Sequence, residues 1–140
     1  SKVKKLSMAT PVTWTTYAER LVNTEKVFDK AGFFSMDGLL WGAANLKVSK
    51  EEMEAICKSI ADPLEARGVG LRIEGIKYMC IQTTDDTVQL KKGKGGAIVK
   101  KATKCFIIGV WNEDSTTGTT NPGADMALEK YTKALTAKGF

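Results

Sequence analysis

The sequence predicts an α+β fold with a central antiparallel β-sheet sandwiched by helices. Three observations lead to this prediction. Leu71 and Ile73 alternate with Arg72 and Glu74, and further short strand-like runs separated by turn residues follow to Lys101. Cys105–Trp111 is apolar almost throughout, which is typical of a central strand covered on both faces. Helical signals precede and follow this strand-rich region, so the helices are expected to cover the sheet.

The first element is predicted to be a helix from Thr13 to about Val22. Thr13 is a suitable N-cap, and Trp14, Tyr17 and Leu21 fall on one helical face. The apolar stretch Val27–Phe34 follows. The turn residues Ser35-Met36-Asp37-Gly38 then separate it from Leu39-Leu40-Trp41, a pattern that predicts a β-hairpin.

A second helix is expected to begin at Ser49, because Ser49-Lys50-Glu51-Glu52 forms a capping box. Asp62-Pro63 should end this helix, since the residue before proline avoids helical geometry. The inner face of the helix would carry Met53, Ile56, Cys57 and Ile60.

Four strands are then predicted at Gly70–Glu74, Lys77–Thr83, Thr87–Lys91 and Gly96–Lys101, with a turn at Asp85-Asp86. After the apolar strand Cys105–Trp111, the polar loop Asn112–Gly123 leads to a last helix from about Ala124 to Lys138, with Ala127, Tyr131, Ala134 and Leu135 on one face.

Composition excludes several classes of site. The 140 residues contain no histidine, which removes Ser-His and Cys-His nucleophile systems and most types of zinc site. The three cysteines have no CxxC spacing and indicate reduced cytosolic thiols that fill the core. No apolar run reaches the roughly 20 residues of a membrane helix. We expect a non-enzymatic cytoplasmic protein that needs no cofactor or metal.

The net charge is modest and does not predict nucleic-acid binding. The formal charge is +5, and residues 1–7 contain three lysines and no acid, so the remainder carries +2. A nucleic-acid protein would show a dense basic face with interleaved aromatic residues. We interpret residues 1–12 as an N-terminal extension, with residues 1–7 ahead of Met8 added by cloning, and residues 13–140 as one domain.

Two local patterns are candidates for anion sites. The segment Gly93-Lys94-Gly95-Gly96 lacks phosphate-loop spacing and precedes a strand, so a hairpin turn is favoured over an anion contact. Six lysines lie within Lys91–Lys104. They predict either a solvated strand edge or a cationic surface for an acidic protein or phosphoinositide head groups.

The aromatic residues near the two chain ends also allow two interpretations. Trp14 and Tyr17 at helical spacing are typical of core residues. They could instead form an exposed groove with Trp41, Tyr131 and Phe140. Such a groove can hold a polyproline II peptide, because proline rings stack on aromatic faces and the ligand is already extended.

Five motifs together resemble the profilin family. They are Trp14-x-x-Tyr17 near the N-terminus, Asp37-Gly38-Leu39-Leu40-Trp41, the strand Gly75–Gln82 with its Lys77-Tyr78 pair, the strand Lys94–Lys101 that opens with Lys-Gly-Gly, and the final Lys138-Gly139-Phe140. The resemblance runs from about Trp14 to Phe140. It implies that the N- and C-terminal helices pack together on one face of the sheet.

The resemblance also implies two binding surfaces. The candidates for the polyproline groove are Trp14, Tyr17, Trp41, Tyr131, Ala134, Leu135 and Phe140. Ala134 departs from the family, which usually has histidine or tyrosine there, and Tyr131 one turn earlier is a candidate to compensate. The candidates for an actin-binding face are Lys77, Met79, Lys91, Lys94, Asp125, Glu129 and Lys130. The loop Asn112–Gly123 is longer than the usual profilin version and would border that face.

The function that the resemblance implies is regulation of actin. The partners would be monomeric actin, proline-rich proteins such as formins and, as further candidates, phosphoinositides, with the protein a monomer in the cytoplasm and cytoskeleton. Binding would promote nucleotide exchange on actin and deliver it to filament ends. The alternative is a longin- or roadblock-like scaffold module for small GTPases, which shares the α-β-α layering and needs no aromatic groove.

Overall fold

A computed structural model describes residues 13–140 and contains four helices, a π-helical turn and seven strands in that range. The helices are α1 (Trp14–Glu19), α2 (Lys50–Ala61), α3 (Pro63–Val69) and α4 (Asn121–Ala137), and a π turn, Arg20–Thr24, extends α1. The strands are β1 (Lys30–Ser35), β2 (Leu40–Ala44), β3 (Leu71–Ile73), β4 (Ile76–Thr83), β5 (Thr87–Lys92), β6 (Gly95–Lys101) and β7 (Cys105–Trp111). The predicted extension at residues 1–12 lies outside the described residues.

All seven strands form one antiparallel sheet in the order β2-β1-β7-β6-β5-β4-β3. Strand β7 lies between β1 and β6, and every one of its residues is buried. The predicted boundaries of this central strand are therefore confirmed. Its apolar character follows from its position, since helices cover both of its faces.

Successive residues of the central strands enter two different cores. Ile107 packs with Phe33 and Ile98 in the core beneath α1 and α4. The next residue, Ile108, packs in the opposite core, where Ile56 and Ile60 of α2 are buried. Because side chains alternate along a strand, one sheet supports helical layers on both faces. The prediction that the terminal helices share a face is confirmed.

The capping box of α2 is confirmed and does more than begin the helix. The Ser49 hydroxyl accepts from the Glu52 amide, and the Glu52 carboxylate accepts from the Ser49 amide at 3.1 Å. The same carboxylate accepts from the amides of Glu74 at 2.9 Å and Gly75 at 2.7 Å. Both of these turn residues have positive φ angles, +53° and +80°. Glu52 thus ties the start of α2 to the β3–β4 turn.

The predicted end of α2 at Asp62-Pro63 is confirmed, but a second short helix, α3, begins at Pro63 and was not predicted. Proline fits the first helical position, where its missing N–H costs nothing. The last helix begins at Asn121 rather than Ala124, since Thr120 accepts from the Gly123 amide as N-cap and Pro122 occupies the first turn.

The remaining local predictions concern turns and thiols. The segment Gly93–Gly96 forms the turn of the β5–β6 hairpin and the first two residues of β6. The element that follows the turn is thus a strand and not a helix. Within the described residues the three cysteines form no disulfide, and burial raises the pKa of Cys105 to about 11. A thiol with that pKa stays protonated at neutral pH, as expected of a core residue.

Candidate functional site

An aromatic groove lies across α1, the β1–β2 hairpin and the C-terminal end of the chain. Its floor is Phe33, which is fully buried. The Phe33 ring centroid lies 5.7 Å from Trp14, 6.1 Å from Tyr17 and 6.5 Å from Tyr131. The last three rings are only partly buried. One core phenylalanine therefore supports aromatic rings from both terminal helices.

One half of the groove, the tryptophan end, consists of Trp14, Trp41 and Phe140. The Trp14 and Trp41 centroids are 4.7 Å apart, and Phe140 lies 5.1 Å from Trp14 and 6.0 Å from Trp41. Phe140 meets both indoles edge-on, a favourable geometry for aromatic pairs. Residues from the two ends of the described chain thus share one ring cluster.

A β-bulge directs Trp41 into this cluster. Phe33 pairs with Gly42 and Phe34 pairs with Leu40, so Trp41 is the additional residue of β2. A bulge re-aims the side chain of its extra residue. Here it places the indole on the side of the sheet that carries α1.

Gly42 lets α1 lie directly on β2. A Cβ atom at Gly42 would collide with the Thr15 amide nitrogen and would lie 2.8 Å from the Trp14 Cβ. Only glycine permits this approach of helix and strand. The sequence shows Gly42 directly after Trp41, but the reason for a glycine there becomes visible only when α1 is docked.

The chain terminus is held in place by backbone hydrogen bonds. The Phe140 amide donates to the Leu135 carbonyl at 2.9 Å, and the Phe140 carbonyl accepts from the Lys104 amide in the β6–β7 turn. Gly139, which directly precedes Phe140, has a φ of +92°, which a glycine adopts without strain. These contacts orient the Phe140 ring, and sequence reasoning did not anticipate the contribution of Lys104.

The other half of the groove, the tyrosine end, consists of Tyr17 and Tyr131. Burial, with a further contribution from the negative charge of Glu25, raises the pKa of Tyr131. Glu25 also accepts from the Lys130 ammonium at 3.0 and 3.2 Å. The Tyr131 ring therefore remains a neutral aromatic surface at physiological pH.

The seven groove residues predicted from the sequence differ in their positions. The Trp14 ring contacts the rings of Tyr17, Trp41 and Phe140, and Tyr131 is connected to this group through Phe33. Leu135 is buried beneath the groove, and Ala134 is exposed on α4 and adds no ring. Phe33 was missed, because within an apolar run a floor residue cannot be told from any other core residue.

A second surface lies where β4 and β5 extend beyond α4. Met79 pairs with Lys91 across the two strands. Their neighbours Tyr78 and Leu90 enter the core under α2 and α3, so Met79, Lys77 and Lys91 face the side of the sheet that carries α4. Met79 is 72% exposed. This surface, Lys77–Met79–Lys91, combines an uncovered apolar side chain with two cations.

The other residues predicted for an actin-binding face lie around this surface at different places. Lys94 is at the tip of the β5–β6 hairpin. Asp125 accepts from Lys100 at 2.8 Å, and Glu129 is exposed one turn further along α4. Lys130 instead reaches Glu25 beside the tyrosine end of the groove. The structure therefore groups Lys77, Met79 and Lys91, places Lys94 and Asp125 at opposite ends of the β5–β6 pair, and directs Lys130 to the groove.

The lysine-rich segment does not form one continuous cationic surface. Lys91, Lys92 and Lys94 lie at the hairpin end of β5 and β6, whereas Lys101 and Lys104 lie at the opposite end of β6. Lys100, next to Lys101 at that opposite end, is buried and bonds to Thr87 at 2.9 Å as well as to Asp125. Of the two interpretations, a strand pair with solvated ends describes the segment better.

The loop between β7 and α4 is held in place by its own hydroxyl groups. Ser115, Thr117 and Thr119 bond in series, and Thr119 donates to the Val27 carbonyl. At its start, Glu113 pairs with Lys92 at 3.3 Å. The loop thus runs from the tip of the β5–β6 hairpin to the segment that precedes β1.

Comparison with known proteins decides the family. The family model described as Profilin matches residues 12–140. Profilin-2 of Acanthamoeba castellanii is 33% identical over 131 residues, which span 92% of this chain and all of that protein. The chain belongs to the profilin family.

Solved profilin structures agree with this assignment. The crystal structure of Acanthamoeba castellanii profilin II superposes with a TM-score of 0.81 at 29% identity, over 91% of this chain and all of that one. A chain from a complex of LokiProfilin1 with rabbit actin has a TM-score of 0.68 at 19% identity, over 85% of this chain and 90% of that one, a likeness in fold. The scaffold-module alternative is not favoured.

The profilins are a family of non-enzymatic actin-binding proteins. Among residues 13–140 no three His, Cys, Asp or Glu side chains are grouped to hold a metal ion. No helix in the same range has the length and apolarity needed to cross a bilayer.

Proposed function

We propose that this profilin binds monomeric actin through the Lys77–Met79–Lys91 surface and proline-rich segments through the aromatic groove. The observation that carries the proposal is the contact of Trp14, Trp41 and Phe140 in a cluster that is not sealed inside the protein. Core aromatic residues are normally covered. Phe140 here keeps 37% of its surface exposed, and both indoles are only partly buried.

The groove suits a polyproline II ligand on physical grounds. Proline rings can stack on the faces of Trp14, Trp41 and Tyr17, and the ligand's free carbonyls can accept from indole N–H groups. Because the ligand is already extended, little conformational entropy is lost on binding. Tyr131 and Leu135 would extend and support this site. Because Ala134 has no ring, the groove offers one stacking surface fewer, and we expect a lower affinity for proline-rich peptides than an aromatic residue there would give.

The proposed actin face comprises Lys77, Met79, Lys91 and Lys94 with Asp125 and Glu129 of α4. Exposed Met79 can supply apolar contact, and the lysines can steer association with an acidic partner. Lys130 has a weaker case, since it pairs with Glu25. The fold shared with the LokiProfilin1 chain bound to rabbit actin supports this assignment at the level of architecture.

Two separate surfaces permit two partners at once. Proline-rich proteins such as formins would recruit the profilin–actin complex and raise the effective actin concentration at a filament end. The protein would act as a monomer in the cytoplasm and cytoskeleton and promote nucleotide exchange on actin. Lys91, Lys92 and Lys94 are candidates for phosphoinositide contact, which would then compete with actin.

The experiment that tests both surfaces together is actin capture on polyproline beads. Beads should retain monomeric actin only when this profilin is present. Trp14→Ala should abolish capture on beads while actin nucleotide exchange, followed with a fluorescent ATP analogue, stays near wild type. Leu64→Ala, at an exposed apolar position on α3, is the control and should leave both activities intact. If Trp14→Ala kept both bead capture and nucleotide exchange, the groove would be excluded as the peptide site.

A further inference from the structure

Arg20 stands at the tyrosine end of the groove. Its guanidinium carbon lies 5.6 Å from the centroid of the Tyr17 ring, within the range of a cation–π contact. Arg20 is exposed and begins the π turn that follows α1. Its positive charge also acts on the Tyr131 hydroxyl, whose pKa it pulls downward against the larger effects of burial and Glu25. The guanidinium therefore lies near both tyrosines.

Within residues 13–140, no carboxylate oxygen lies within 4.0 Å of the Arg20 guanidinium nitrogens, so this cation has no ion-pair partner there. The acid nearest in sequence on the C-terminal side is Glu25, and its two oxygens accept from Lys130 and face Tyr131. Lys130 thus satisfies Glu25 and leaves the guanidinium fork available. Stacking on Tyr17 restricts the Arg20 side chain, so less entropy is lost when it binds an anion.

We propose that Arg20 makes this groove prefer proline-rich segments that carry an acidic residue next to the prolines. The inference rests on the proposed binding of proline-rich peptides and names a feature of the ligand. An aspartate or glutamate just beyond the last proline on Tyr17 would meet the guanidinium and form a charge-assisted, two-point hydrogen bond. A peptide of prolines alone has no carboxylate and would form no ion pair with the Arg20 guanidinium.

The expected preference is modest, because the pair is exposed to solvent. Exposed ion pairs typically change an equilibrium by about two- to fivefold. Salt should reduce the preference, since screening weakens exposed pairs. A polyproline II helix presents similar surfaces in both chain directions, so the acidic residue must be tested at each end of the peptide.

The test compares capped peptides by tryptophan fluorescence at low ionic strength. The peptides are a proline decamer, the decamer preceded by Asp-Asp, the decamer followed by Asp-Asp, and the decamer preceded by Lys-Lys. At least one Asp-Asp peptide should bind about two- to fivefold more tightly than the plain decamer, and the Lys-Lys peptide should not gain affinity.

Variants separate Arg20 from the general positive charge of the protein. Arg20→Gln should remove the affinity advantage of the acidic peptide over the plain decamer. Arg67→Gln on α3 removes an exposed arginine of equal charge and should keep the advantage. Equal affinities for all peptides, or an advantage that survives Arg20→Gln, would overturn the inference. Failure of the plain decamer to bind wild type would instead overturn the proposed function itself.

Discussion

The Phe140 ring stands edge-on to the Trp14 indole, 5.1 Å away with the two planes at 88°. These residues are separated by almost the whole described chain. They meet because α1 and α4 lie on the same face of the sheet and because the Lys104 amide holds the Phe140 carbonyl. The last residue of the chain is therefore a wall of the groove.

Replacing Phe140 should lower the affinity of the groove for proline-rich peptides without unfolding the protein. Phe140→Ala removes edge-on contacts to both Trp14 and Trp41 and should lower affinity for a proline decamer about fivefold, given about 1 kcal/mol for an aromatic pair. Tryptophan fluorescence titration measures the change. Stability should fall little, since Phe140 is partly exposed. Unchanged affinity would show that Phe140 takes no part.

The close approach of α1 to β2 gives a prediction with a matched control. Gly42→Ala should destabilise the protein by about 2 kcal/mol or more, because the added Cβ meets backbone atoms of Trp14 and Thr15. Proline-peptide binding should fall as α1 shifts. Urea unfolding measures the stability of each variant.

The control for Gly42 is Gly68 in α3. A Cβ at Gly68 meets no atom within 4 Å. Gly68→Ala should therefore stabilise the protein by about 0.5–1 kcal/mol through helix propensity and reduced unfolded-state entropy. Equal effects of the two substitutions would contradict the docking of α1 on Gly42.

Glu52 should make stability depend on pH. Burial pushes its pKa up, but the amides of Gly75, Ser49 and Glu74 outweigh this and bring the pKa below its ordinary value of 4.5. A carboxyl group with a lowered folded-state pKa stabilises the protein above its unfolded pKa, and this contribution is lost as the pH falls through the folded pKa.

The matching variant is Glu52→Gln. At pH 7 it should lower the free energy of unfolding by about 1–2 kcal/mol, since it weakens hydrogen bonds to a charged acceptor. The difference from wild type should shrink as the pH falls from about 5 to below the folded pKa. Urea unfolding across this range measures it. A difference that stays constant with pH would mean that the charge of Glu52 plays no part.

Charge reversal at the hairpin end tests the proposed actin face. Lys91→Glu combined with Lys94→Glu should weaken actin association at low salt about tenfold, chiefly through a slower association rate. Lys101→Glu, at the opposite end of β6, is the control and should have a smaller effect. Stopped-flow measurement with labelled actin gives the rates. Similar rates for all variants would place the actin face elsewhere.

The sequence predicted the sheet and its order of elements because its signals are local. The Ser49–Glu52 capping box, the turn at Ser35–Gly38 and the apolar strand Cys105–Trp111 each depend on neighbouring residues, and all three are present. The start of α3 at Pro63 was missed, because proline both ends one helix and begins another.

The site was predicted less completely, since its geometry depends on contacts distant in sequence. The additional residue at Trp41 in β2, the floor formed by Phe33 and the hydrogen bond from Lys104 to Phe140 require the assembled sheet. Arg20 resembles any exposed helical cation until Tyr17 is seen beneath it. Lys130 could not be separated from the other α4 charges until its contact with Glu25 was known.

The most direct test is nuclear magnetic resonance of the three indole N–H groups during titration with a proline decamer. Trp14 and Trp41 line the groove, whereas Trp111 is 2% exposed in the core. The resonances of Trp14 and Trp41 should shift together along one saturable curve while that of Trp111 stays in place. Stationary Trp14 and Trp41 resonances at millimolar peptide would contradict an open proline-binding groove.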